Sequence, residues 1–77
     1  MFDKNKFKGR IVELGLSVDK VANLLGINAA TLYRKINGDS DFSRSEIQLL
    51  KHVLNLTSAE MEDIFFKQVL TETQEIY

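Results

Sequence analysis

The sequence predicts an all-α domain of five helices, and three observations predict it. The 77 residues contain no proline. Apolar residues recur with the 3.6-residue period of a helix and nowhere alternate as a half-buried strand requires. Small polar residues stand before the periodic runs, and two of them are followed three positions later by glutamate, the capping-box spacing.

The first helix is expected over residues 4–14, with Phe7, Ile11 and Leu14 inward and Lys4, Lys6, Lys8 and Arg10 crowding its start. Gly15 stops it. Ser17 caps a second helix running to Leu25, whose Val18, Val21, Ala22 and Leu25 form an i, i+3, i+4, i+7 stripe. Gly26 follows, where a helix end takes positive φ. Asn28 caps a third helix, Ala29 to Asn37, which buries Leu32 and Ile36 on one side. Ala22 is small enough for the third helix to cross the second closely, and Gly26 makes the bend cheap. The stretch from Ser17 to Gly38 therefore reads as a helix-turn-helix, whose second helix can be presented to a DNA groove.

Beyond Gly38 comes a polar loop containing Ser40, and then Phe42, expected to fold back onto the core. Ser43 with Glu46 opens a fourth helix with Ile47, Leu50 and Leu54 inward and Leu49 and Val53 widening that face. His52 stands alone as a surface or boundary residue. Asn55-Leu56 breaks the chain, and Thr57 with Glu60 opens a fifth helix with Met61, Ile64 and Phe65 inward. Phe66, Val69 and Leu70 add an apolar patch that either completes the core or forms a homodimer face. The domain spans residues 1–70, and 71–77 form a short acidic tail.

The net charge of −1 hides an asymmetry. Up to Gly38 seven Lys and Arg face three acids, a balance of +4; from Asp39 onward three face eight, a balance of −5. A polyanion met by the first half fits this division. There is no cysteine, so neither a disulfide frame nor a thiolate metal site can form. No apolar run approaches the ~18 residues that span a bilayer, and the N-terminus lacks the apolar core of a signal peptide. Cytoplasmic residence is the expectation.

A third helix that reads DNA would bring Ala29, Ala30, Thr31, Tyr33 and Arg34 to base edges. Arg34 pairs bidentately with guanine, and Ala30 or the Thr31 methyl meets a thymine methyl. Tyr33 could instead hydrogen-bond a phosphate or pack on the sugar. Ser17, Lys20, Asn28, Lys35, Asn37 and Ser40 are the expected phosphate contacts. No cofactor, metal site or small-molecule effector is expected. An enzyme is disfavoured, because no nucleophile is paired with a base and no glycine-rich phosphate loop is present.

Leu14 to Ser17, Val21-Ala22, Leu25-Gly26-Ile27, Thr31-Leu32 and Gly38 together resemble the Cro/C1-type (XRE-like) helix-turn-helix family. The segment TLYRKINGDSDFSRSEI with Ile64 to Phe66 looks like short phage and prophage repressors of low-GC Gram-positive bacteria. The resemblance covers about Phe7 to Phe66. It implies a five-helix lambda-repressor-like domain, major-groove binding by the third helix, and a homodimer on a palindromic operator. Five positions depart from the family pattern, among them Ala29 and Ala30, which replace the polar residues many members use for direct readout. Val18 stands where relatives carry a phosphate-holding glutamine, Ile36 where many carry glutamate, and Lys35 where an apolar residue is usual. The function this implies is transcriptional regulation through double-stranded DNA. The alternative is a protein-interaction module, such as an antirepressor, that uses the same body to bind a protein.

Overall fold

Five α-helices follow one another in the structure, a computed structural model that describes residues 2–66. They are α1 (Lys4–Glu13), α2 (Val18–Leu25), α3 (Ala29–Ile36), α4 (Arg44–Val53) and α5 (Ser58–Met61). A π-helical turn, Glu62–Phe66, continues α5. No strand occurs among the described residues.

Every helix starts the same way. The cap side chains of Asp3, Ser17, Asn28, Ser43 and Thr57 each accept the N–H three residues on, from Lys6, Lys20, Thr31, Glu46 and Glu60, at 2.8–3.2 Å. Each cap is preceded by an apolar residue and followed four positions later by another. The pairs are Phe2 and Phe7, Leu16 and Val21, Ile27 and Leu32, Phe42 and Ile47, and Leu56 and Met61. All ten belong to the core or pack against it. This is hydrophobic-staple spacing, which fixes the angle at which the chain enters a helix.

Four helices also end alike. Gly15, Gly26, Gly38 and Asn55 take positive φ of 72°, 77°, 89° and 52°. The next N–H then reaches back five residues: Leu16 to Ile11, Ile27 to Ala22, Asp39 to Arg34 and Leu56 to Lys51, at 2.9–3.0 Å. These are Schellman closures, which satisfy carbonyls that a helix end otherwise leaves open. At Gly26 the positive φ is required, because a side chain there would strain the turn into α3.

Leu16, Ile27 and Leu56 each close one helix and staple the next. Three of the four junctions are therefore one three-residue connector: Gly15-Leu16-Ser17, Gly26-Ile27-Asn28 and Asn55-Leu56-Thr57. The fourth, from α3 to α4, is longer and is pinned by Phe42.

α2 packs on α3 and α4, while α1 packs on α2 and on the turn after α5. Phe7, Val21, Leu32, Leu50 and Leu54 are fully buried at the centre. Around Phe7 lie the rings of Phe2, Phe42 and Phe65, at centroid distances of 5.1, 5.9 and 6.4 Å. The two ends of the described residues are tied together, since the Asp3 N–H donates to the Ile64 carbonyl at 2.6 Å. Arg10 adds a second tie, donating from Nε to the Leu54 carbonyl at 2.9 Å and from a terminal nitrogen to the Asn55 carbonyl at 2.8 Å.

Several expected positions shift. Leu14 was expected inward but is 38% exposed, because the helix ends at Glu13 and Leu14 is its C-cap with φ −86°, ψ 0°. Val18 is only half-buried, and Leu49 is exposed rather than part of the packed face of α4. α3 ends one residue early, leaving Asn37 as its C-cap. The fifth helix is α-helical for one turn and then widens, where the Ile64 carbonyl is engaged by Asp3 from the opposite end of the chain. Met61, Ile64 and Phe65 are nonetheless buried, as expected. The expected boundary at residue 70 lies outside the described residues.

Both capping boxes are complete, with Glu46 and Glu60 accepting the N–H groups of Ser43 and Thr57 at 2.8 Å. Burial raises the Glu46 carboxyl, but the Ser43 N–H and the Lys35 ammonium outweigh it and hold its pKa below the usual glutamate value. The Thr57 N–H lowers Glu60 likewise. A carboxyl with a depressed folded-state pKa stabilises the fold above its unfolded pKa, and loses that contribution as pH falls through the folded one. The urea midpoint should therefore drop as pH is lowered from about 5 towards 3. Glu46→Gln keeps an acceptor for the cap but removes the charge, and should flatten that dependence when followed by circular dichroism.

Candidate nucleic-acid interface

The site begins with what α3 buries. Leu32 and Ile36 are sealed in the core, which fixes the rotation of the helix. Ala30, Tyr33, Arg34 and Asn37 then fall at i, i+3, i+4 and i+7 and are all exposed, so they share one outward stripe. Tyr33 is 45% exposed, with its ring and hydroxyl both reachable. Arg34 makes no hydrogen bond or ion pair among the described residues, so all five of its N–H donors are available. Thr31 is half-buried beside this stripe.

Ala29 departs from the expected reading set. It is half-buried and packs against the core, because the Ile27-Asn28 entry turns the first residue of α3 inward. It contributes packing where a base contact was expected.

Lys35 also departs from expectation. Its side chain is only 13% exposed. The ammonium lies 3.1 Å from Glu46 Oε1 and donates to the Asp41 carbonyl at 2.9 Å. Glu46 in turn accepts the Ser43 N–H. Lys35 thus ties the end of α3 to the start of α4 across the connecting loop, and its charge is spent inside the protein. An apolar residue could fill this position, but it would leave Glu46 without its cation.

The remaining expected phosphate contacts are exposed: Ser17, Lys20, Asn28, Asn37 and Ser40. Ser17 and Asn28 already accept the Lys20 and Thr31 N–H groups. Their hydroxyl hydrogen and amide NH2 remain as donors, the polarity a phosphate oxygen needs. Both sit at N-termini of eight-residue helices, where the positive end of the helix dipole adds to their effect. Arg44 was not among the expected residues. It is the first residue of α4, exposed and without a partner among the described residues. The signal for it was the cap at Ser43, which places Arg44 at a helix start facing solvent.

No protein-family model matches this chain, and no curated protein or solved structure matches it.

The described residues hold no cluster of His, Cys, Asp or Glu able to bind a metal ion, and none of their helices is long and apolar enough to cross a membrane. Of the expected dimer face, Phe66 is exposed, whereas Val69 and Leu70 lie outside the described residues.

Proposed function

We propose that this chain is a sequence-specific DNA-binding transcriptional regulator, with α2 and α3 acting as a helix-turn-helix in a five-helix lambda-repressor-like domain. The observation that carries this reading is the outward stripe of Ala30, Tyr33, Arg34 and Asn37, on a helix whose opposite face is locked by Leu32 and Ile36. α3 enters the major groove. Arg34 reads guanine, Tyr33 contacts base or sugar, and Ala30 and Thr31 meet thymine methyls. Ser17, Lys20, Asn28, Asn37 and Ser40 hold phosphates on either side, and Arg44 joins them. Direct readout by so few polar side chains leaves a large share of selectivity to DNA shape. Two copies on a palindromic operator place their recognition helices about 34–36 Å apart, in successive major grooves.

Selection from a random duplex library with the purified protein tests this reading. The expected result is an enriched inverted repeat, bound with an affinity that falls steeply between 50 and 200 mM salt, by roughly 10³-fold for a dimer making six or more phosphate contacts. No sequence enrichment at low salt would overturn it. That result would favour the second reading, a protein-interaction module, for which the exposed Phe66 is the specific observation.

A further inference from the structure

At three of the four junctions one residue both closes a helix and staples the next. The α3–α4 junction separates these tasks. The Asp39 N–H closes α3 on the Arg34 carbonyl at 2.9 Å, and Phe42 with Ile47 staples α4. Between them Ser40 and Asp41 are exposed and pack on nothing in the core. α3 and α4 both pack chiefly on α2. The connector by itself therefore does not specify how the end of α3 meets α4.

Lys35 provides the missing link. Its ammonium donates to the Asp41 carbonyl at 2.9 Å and lies 3.1 Å from Glu46 Oε1. The same oxygen accepts the Ser43 N–H at 2.8 Å. Alternate residues of the segment, Asp39, Asp41 and Ser43, are thereby tied to the last turn of α3 or the first turn of α4. The Lys35 and Glu46 side chains are only 13% and 16% exposed, so water and salt screen this pair less than an open surface pair. Arg34 stands within the arrangement. Its carbonyl takes the Asp39 N–H, its neighbour Lys35 makes the link, and its own side chain projects to solvent. A two-pronged contact with a base edge needs that side chain within about 0.5 Å and 10–20° of its place. Attraction to a phosphate falls off only slowly with distance.

We propose that Lys35 is a positioning residue for base reading: through Glu46 and the Asp41 carbonyl it sets the last turn of α3, and with it the register of Arg34 on DNA. The proposal rests on the reading of α3 as the DNA-contacting helix and deepens it. Lys35 itself touches no DNA. An apolar residue in its place would leave the end of α3 to a connector that does not specify it.

Two variants test this, because they change the charge of the protein in opposite directions. Lys35→Met removes a cation and Glu46→Ala an anion, yet both break the link. Each should lower the ratio of operator to random-DNA affinity by about five- to tenfold, within what one bidentate arginine contributes. Fluorescence anisotropy at one salt concentration reads the ratio, at a temperature where circular dichroism shows both variants folded. On an Arg34→Ala background Lys35→Met should cost less than about twofold more, because Lys35 acts through Arg34. An unchanged ratio in either variant, or a full further loss on that background, would overturn the proposal. An equal loss on both duplexes would overturn it by making Lys35 a phosphate contact.

Hydrogen exchange on the free protein completes the test. In Lys35→Met the Asp39 N–H should exchange several-fold faster. The Leu16, Ile27 and Leu56 N–H groups, which make the same closure at the other corners, should keep their rates. Equal acceleration at all four would signal a general loss of stability and overturn the proposal, as would no change at Asp39. No DNA enters this measurement, so it judges the link even where no operator is enriched and the reading of α3 itself fails.

Discussion

Phe7→Ala is expected to remove about 3–5 kcal/mol of folding stability. A chain of this size has on the order of 4–11 kcal/mol in total, so the variant should be largely unfolded at modest urea concentrations. Phe7 is fully buried and lies within ring-stacking distance of Phe2, Phe42 and Phe65. Those three come from the entry to α1, the α3–α4 loop and the turn after α5. Truncating Phe7 leaves a cavity that none of them can fill without moving its own segment. The urea midpoint followed by far-UV circular dichroism reads the effect. Val12→Ala, on the same helix but at a residue 75% exposed, should change it by no more than about 0.5 kcal/mol. Equal losses at the two positions would mean that α1 is packed on a different face.

Arg34→Ala carries the second large effect, on binding. If α3 reads DNA through Arg34, its loss should weaken binding to the selected operator by about 1–3 kcal/mol, with a smaller loss on random DNA. Arg34→Lys keeps the charge but not the two-pronged geometry. It should restore random-DNA binding while leaving operator affinity reduced. Fluorescence anisotropy on both duplexes at one fixed salt concentration separates these terms. An equal loss on both duplexes would reassign Arg34 to a phosphate.

Most of the helical frame is legible in the sequence, because caps and apolar period speak locally. Ser17, Asn28, Ser43 and Thr57 all cap as their side chains require, and Phe42 anchors its loop as expected. Phe2, Asp3 and Phe7 carry the same signature, an apolar residue, a cap and an apolar residue four further on, but it is set among Lys4, Lys6 and Lys8, whose charges mask it. Leu14 falls on the apolar period yet faces solvent, because periodicity counts residues and is blind to where the backbone stops being helical. Lys35 departs from its local pattern for a different reason. Its partner Glu46 lies eleven positions away, on the far side of a loop, and no local pattern places the two together. Arg10 is the same case, bound to carbonyls more than forty residues downstream.

The turn that first marked α2 and α3 also proves less distinctive than its sequence implies. Gly26-Ile27-Asn28 has the same closures and staples as Gly15-Leu16-Ser17 and Asn55-Leu56-Thr57. What sets α3 apart is the exposed stripe with Arg34 unpaired, a property of packing that the connector itself does not encode.

The repeated connector bears on how fast the domain forms. Three of the four corners are specified by residues within about one helical turn of them, so those junctions can find their geometry before distant segments meet. Topologies built on such short-range contacts cross their folding barrier in microseconds to milliseconds. The long closures left are α2 on α4, Phe42 on Phe7, and Asp3 on Ile64 with Arg10 reaching the end of α4 alongside it. What remains for the chain to search is how these distant segments meet, and the three repeated corners between them need no such search.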